Sequence, residues 1–293
     1  MTVRILALVG AICSVSMVMA QAGTPLRGTF ALQGGKARTT GYLIALPING
    51  DTTTWKLDFW MTPQNGNTPL RAYDQEMTKL LHVIIVSDDF KTFIHAHPRF
   101  SPNGHFLLNQ TLPAPGRYYV YSDGRPAGIG QQVFRFDLQA GKVTPVTMRD
   151  LSERNVVSRV DGYSVTLSSL SLRSGSEARI AIHITKDGKP ATDIHPYLRA
   201  LAHAVFLDAS DLTYVHVHPV TLASPAGRNG MLMNGASAMG TASAAVYAND
   251  SAIVPPDMLL YVTVKEPGTY KLWFQFHGGT SLHVASFVLT TIL

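Results

Sequence analysis

The sequence predicts an all-β protein: two tandem immunoglobulin-like β-sandwich domains that arise from an internal duplication. Three observations predict it. Charged residues make up only 15 % of the 293-residue chain while Gly, Pro, β-branched and aromatic residues recur, a composition that suits packed strands and argues against disorder or coiled coil. Each half carries roughly seven short apolar runs separated by turn signals, the pattern of a sandwich, with a small barrel as the other closed arrangement. And HVIIVSDDFKTFIHAHP, His82 to Pro98, recurs as HAVFLDASDLTYVHVHP, His203 to Pro219, at a constant spacing of 121 residues.

Taken in order, residues 1–20 read as a signal peptide. Arg4 supplies the positive start, Ile5 to Met19 is apolar but short for a membrane span, and Val18-Met19-Ala20 offers a small-residue cleavage site. The single cysteine, Cys13, lies inside this segment, so the mature chain has no thiol for disulfides, thiolate zinc sites or a blue-copper centre. No later stretch is apolar for long enough to span a membrane. The chain is expected to be periplasmic or secreted.

The first domain is expected over residues 24–140. Gly28 to Gln33 reads as a strand, as does Gly41 to Leu46, whose counterpart 121 residues on is Gly162 to Leu167. Trp55 to Met61 (WKLDFWM) alternates in the manner of a half-buried strand. Residues 141–160 are polar enough to connect the copies, and the second domain is expected over 161–293. After the hairpins the spacing grows to 152, because the second copy carries an inserted loop at 220–257 that is rich in Ala, Gly, Ser and Asn. Met231, Met233 and Met239 lie in it; thioethers favour Cu(I), although methionine also packs readily onto cores. A strand, a Pro-Gly turn and another strand then follow in both copies.

The chemistry concentrates in the two hairpins. In each, Val, Ile, Phe and Tyr form the arms and a Ser/Asp-rich break forms the turn. Side chains alternate along a strand, so His95 and His97 share a face, as do His216 and His218. A four-residue loop at Asp88 to Lys91 sets His95 opposite Ile84 and His97 opposite His82, which brings all three histidines to that face; a loop at Ala209 to Leu212 does the same for His203. A loop of odd length would send His82 and His203 to the other side. Three imidazoles on one rigid face suit copper or zinc and leave a coordination position open. His82, His95, His97 and His203, His216, His218 are therefore the candidate metal ligands. His283, at the start of the last strand, is a candidate fourth ligand for the second set, or else an edge-strand histidine. The competing reading of both triads is a buried polar network that organises the core.

Other classes find little support. The net charge of +5 is spread without any Lys/Arg run, which gives no footprint for nucleic acid. There is no Gly-rich phosphate loop, no GxSxG elbow and no HExxH, so no catalytic residue is named.

The two HxHP hairpins, with the later PGTYKLWFQF, resemble secreted bacterial proteins that carry tandem HxHP hairpins. At the level of fold they resemble YtkA-like and CopC-like periplasmic domains. That resemblance implies copper handling in the periplasm. A metal ion and another periplasmic protein are the expected partners. The resemblance does not bring the CopC-type site with it, because that site uses a histidine at the mature N-terminus and this chain would begin QAGTPLRG. The expectation is an exported copper- or zinc-binding protein with one His-triad site per domain. The alternatives are a structural or adhesion-type module with architectural histidines and a partner-binding loop, or a metalloenzyme using the open coordination position.

Overall fold

The computed structural model describes residues 23–143, 148–222 and 249–293. The expected signal segment and Met231, Met233 and Met239 lie outside them. The described residues contain strands and no helix, and no helix long and apolar enough to cross a membrane is present among them.

The first half contributes β1 (Leu26–Arg27), β2 (Thr29–Phe30), β3 (Thr39–Ile48), β4 (Asp51–Pro63), β5 (Tyr73–Asp74), β6 (Leu81–Ser87), β7 (Phe93–Ala96), β8 (Arg99–Phe100), β9 (Phe106–Thr111), β10 (Gly116–Pro126) and β11 (Gln132–Ala140). The second contributes β12 (Val157–Val160), β13 (Tyr163–Leu167), β14 (Ser171–Arg173), β15 (Glu177–Lys186), β16 (Lys189–Pro190), β17 (Ile194–His195), β18 (His203–Asp208), β19 (Tyr214–Val217), β20 (Val220–Thr221), β21 (Asp257–Thr263), β22 (Gly268–Gly278) and β23 (Ser281–Ile292). Each half forms two sheets: β1-β3-β4-β9-β8 over β2-β11-β10-β6-β7, and β12-β13-β15-β21-β20 over β14-β23-β22-β18-β19. Val157–Val160, read from sequence as the end of the connection, is instead an edge strand paired with β13. The stretch read as an inserted loop from 220 opens with Val220 and Thr221 paired to β21.

The outer sheets follow the alternation that the sequence shows. Along β4, Trp55, Leu57, Phe59 and Met61 are buried while Lys56 is exposed and Asp58 and Trp60 are only partly covered. The inner sheets do not alternate. β6 is buried from Leu81 to Val86, β18 throughout, and β10 from Tyr118 to Gly124. Leu81, Val83 and Ile85 enter the first domain's core, and Ala204 and Phe206 the second's. The opposite faces of both inner sheets pack against each other in a third core that includes Ile84, Val86 and Tyr121 from the first half and Val205, Leu207, Tyr214 and Trp273 from the second. A strand covered on both faces is a continuous apolar run, and HVIIV and HAVFL are such runs.

This third core is reciprocal, in the way that a two-fold symmetric dimer interface is. Tyr121 stacks on Tyr214 with ring centres 5.3 Å apart, and Trp273 stacks on Phe93, also at 5.3 Å. Phe93 and Tyr214 occupy matching places in the two hairpins, and Tyr121 and Trp273 matching places in β10 and β22. Two straps reinforce the contact. Past β2, Ala31 and Gln33 pair with Tyr214 of the other half through backbone hydrogen bonds of 2.8 and 3.1 Å. In the connection, Arg149 donates to the Ala209 carbonyl and lays its guanidinium over Phe90.

Because Trp273 is 2 % exposed and fills the interface, Trp273→Ala should cost about 3–5 kcal/mol. Urea denaturation monitored by circular dichroism measures this, and a loss below about 1 kcal/mol would show that the two inner sheets do not share a core.

Candidate metal centre between the two domains

Both hairpins have the register that brings three histidines to one face. Ile84 pairs with His95, Ser87 closes on Thr92, and the same register one pair further sets His82 opposite His97. In the second copy Val205 pairs with His216. The face in question is the interdomain one, so the two triads meet across the interface. His82 Nδ1, His95 Nε2 and His97 Nε2 form a triangle with edges of 3.0, 3.2 and 3.2 Å. His203 Nδ1 lies 3.4 Å from His216 Nε2 and 3.1 Å from His218 Nε2. Across the interface the His95 and His203 rings are 4.8 Å apart and those of His82 and His216 5.3 Å. His82, His95 and His97 are close enough to hold one ion, and so are His95, His203 and His216, a set drawn from both halves.

The opposite nitrogens of four of these rings are fixed by acceptors. His82 Nε2 donates to the Glu76 carbonyl at 3.0 Å, and in the matching place His203 Nε2 donates to the Tyr197 carbonyl at 3.3 Å. Both carbonyls come from turns held by left-handed residues, Met77 and Thr78 in one and Leu198 and Arg199 in the other. The remaining two acceptors are exchanged between domains. His95 Nδ1 faces Gln275 Oε1 at 2.9 Å, and His216 Nδ1 faces Asp123 Oδ2 at 3.2 Å. Asp123 pairs with His82 on the adjacent strand, and Gln275 with His203, so each sits beside its own domain's first histidine and orients the other domain's second.

This pattern decides what the converging nitrogens carry. A neutral imidazole has one N–H and one lone pair. A carboxylate and a backbone carbonyl can only accept, so His216 spends its N–H on Asp123 and His203 spends its own on Tyr197. The facing pair, His203 Nδ1 and His216 Nε2, is therefore two lone pairs 3.4 Å apart in a buried site. One N–H from His218 can satisfy only one of them. His82 Nδ1 and His95 Nε2 face each other at 3.0 Å, and they are likewise two lone pairs when the Gln275 amide presents its oxygen to His95. Burial opposes a proton at five of the six rings, His82, His95, His97, His203 and His218. Burial, then the charge of His216, pushes His82 down to about 4. Burial, then His82, pushes His97 down to about 3. Burial holds His95, His203 and His218 well below the ordinary histidine value. A metal ion would be held by His82 Nδ1, His95 Nε2 and His97 Nε2, whose separations of 3.0 to 3.2 Å suit nitrogen–metal bonds of about 2.0 Å.

Asp123 is equipped to stay ionised. Burial pushes its carboxyl up, but the hydrogen bond and charge of His216, with the charge of His82, hold it below its usual range; Tyr214 and Gln131 also donate to it. Nearby, burial and Asp123 push the Glu76 carboxyl up to about 7.

His283 does not join the second triad. On β23 it pairs with Phe276, whose ring points into the second domain's core. The parity of the strand therefore turns His283 away from the interface, where it bonds Asp161 at 2.9 Å and the Gly278 carbonyl at 3.1 Å. His105 and His183, unmatched between the copies, pair with Asp58 and Asp257. His195 and His277 form a cross-strand pair with ring centres 5.7 Å apart. Sequence reading missed Asp123 and Gln275. The signal available was a charged or amide residue inside an otherwise apolar strand, at matching places in YYVYSDG and KLWFQFHG.

The domain of unknown function DUF8832 matches residues 38–141 and 158–292, nearly all of both halves. The chain belongs to DUF8832. No curated protein matches it. Among solved structures, a Salmonella alpha-2-macroglobulin mutant is similar at 11 % identity and a TM-score of 0.25, over 89 % of this chain but only 16 % of that one. A chimeric titin Z1Z2-Z1Z2 tandem is similar at 11 % identity and a TM-score of 0.19, over 82 % of this chain and 92 % of that one. A polysaccharide lyase is similar at 8 % identity and a TM-score of 0.20, over 88 % and 34 %. None of these likenesses bears on what the site does.

The lowered histidine values set the pH dependence of the metal-free protein. Unfolded imidazoles titrate near 6.5, while the folded ones resist protonation until about pH 4 at His82 and about pH 3 at His97. Between those limits the unfolded chain binds more protons, so stability present above pH 6.5 is lost as pH falls. His82 alone accounts for about 3 kcal/mol at the acid end. Urea melts of chelator-treated protein from pH 7.5 to 4 should show this fall; a flat profile would mean that the imidazoles are not held neutral.

Proposed function

We propose that this DUF8832 member is an exported metal-binding protein that holds copper or zinc in its two histidine triads, at the interface between its domains. The observation that carries the reading is the convergence of buried imidazole lone pairs whose opposite nitrogens are tied to acceptors. That is the outer arrangement that fixes the tautomer of metal-ligating histidine. An all-imidazole donor set, without thiolate or carboxylate, favours copper or zinc over magnesium or calcium. The signal-like segment at residues 1–20 supports export.

Storage, delivery or sensing fits better than catalysis. Five of the six histidines are 9 % exposed or less, which leaves only His97 partly open to a substrate. The two carboxylates nearby are engaged behind the rings or buried, rather than aimed at an open coordination position.

Metal content of untagged protein, measured by mass spectrometry, tests the proposal, together with thermal melts after chelation and after adding Cu(I), Cu(II) or Zn(II). The expected result is two equivalents and a raised melting temperature. His95→Ala/His97→Ala and His216→Ala/His218→Ala should each lose one equivalent. Uptake should persist to about pH 4, where His82 takes up a proton, and weaken below it, because each ligand must be neutral. No metal and no shift with any of the ions would leave the histidines as architecture and the chain as an interaction module.

A further inference from the structure

Resting on that reading, we infer that the two triads are unequal sites that fill in a fixed order. The triad of His203, His216 and His218 fills first and that of His82, His95 and His97 second, and the exchanged residues Asp123 and Gln275 set the order.

Each half offers three ligand atoms at matching places, Nδ1 from the first histidine of its hairpin and Nε2 from the other two; in the second, His216 and His218 lie 3.4 and 3.1 Å from His203, with His95 of the first half also within reach. The first histidine of each is tied to a backbone carbonyl in the same way. The difference falls on the middle histidine. His216 is backed by a carboxylate and His95 by a carboxamide. A ligating imidazole whose far N–H is held by a carboxylate is a stronger donor, because developing charge on the ring is stabilised by a full negative charge. An amide oxygen supplies only a dipole. Asp123 is 1 % exposed, so water does little to screen that charge.

A second asymmetry points the same way. Tyr197 takes the place in the second copy that Glu76 has in the first, and the Glu76 carboxyl lies close enough to Asp123 and His216 to feel both. The acidic groups of the first domain thus gather behind a ligand of the second. Nothing comparable stands behind His95, whose far nitrogen meets Gln275.

The exchange between domains gives the order a structural consequence. Since the residue that strengthens the second triad is carried by the first domain, the first ion bound also holds the two inner sheets in register. Asp123 and Gln275 are positioning residues, acting on the metal through His216 and His95.

The test is a titration of the metal-stripped full chain with Zn(II), in competition with a chromophoric chelator. Two steps are expected, the first tighter by at least about tenfold. Repulsion between two ions also separates the steps, so variants decide. His218→Ala should remove the tight step and His97→Ala the weak one. Asp123→Asn should weaken the tight step by about 10–100-fold and leave the weak step nearly unchanged. Gln275→Glu should tighten the weak step, which keeps the test decisive if the Asn variant fails to fold. With Co(II) as the probe, the ligand-field band of the first equivalent should shift in Asp123→Asn and not in Gln275→Glu. Two zinc ions bound with a single affinity, a tight step lost in His97→Ala, or a gap that neither exchange moves would overturn the order while leaving metal binding intact. Intact protein that takes up no zinc, copper or cobalt would overturn both.

Discussion

The structure depends on two inner sheets packed face to face, so that strands buried on one side by their own domain are buried on the other by its neighbour. That contact creates a dry layer. Water would otherwise hydrate the imidazoles and make their convergence unremarkable. In the dry layer each nitrogen must be accounted for by protein groups, and the lone pairs of His203 and His216 are left facing each other across 3.4 Å. Burial also lowers the proton affinity of five of the six rings, His82, His95, His97, His203 and His218.

The interface behaves as a symmetric dimer made within one chain. Aromatic stacking is reciprocal, between Tyr121 and Tyr214 and between Phe93 and Trp273. The residues behind the middle histidines are reciprocal too. A dimer of identical chains has to carry the same residue at both places. A single chain with two copies is free to place a carboxylate at one and an amide at the other, and Asp123 and Gln275 show that it has.

Much of the site was legible in advance because its geometry is local. A hairpin with a four-residue loop fixes which residues oppose one another, and strand alternation fixes which share a face, so the three histidines of each copy could be placed together from spacing alone. His283 shows where such reasoning stops. As a fourth ligand it needed a last strand bordering the hairpin, but β22 lies between, and its parity is set by its pairing with Phe276, a register that depends on how a long strand closes against its neighbour. Val157–Val160 was equally out of reach, since a polar edge strand resembles a connection until its partner is known.

The sequence by itself determined the class of fold, the repeated hairpin and the shared face of each triad. Those follow from composition and from a period of two residues along a strand. Only the tertiary structure decided that the two faces meet, that Asp123 and Gln275 cross between domains, and that the lone pairs of His203 and His216 face each other. The continuous apolar runs HVIIV and HAVFL announced burial on both sides, but a run of apolar residues does not name what covers it. That choice belongs to contacts between residues more than a hundred positions apart, where no local period reaches.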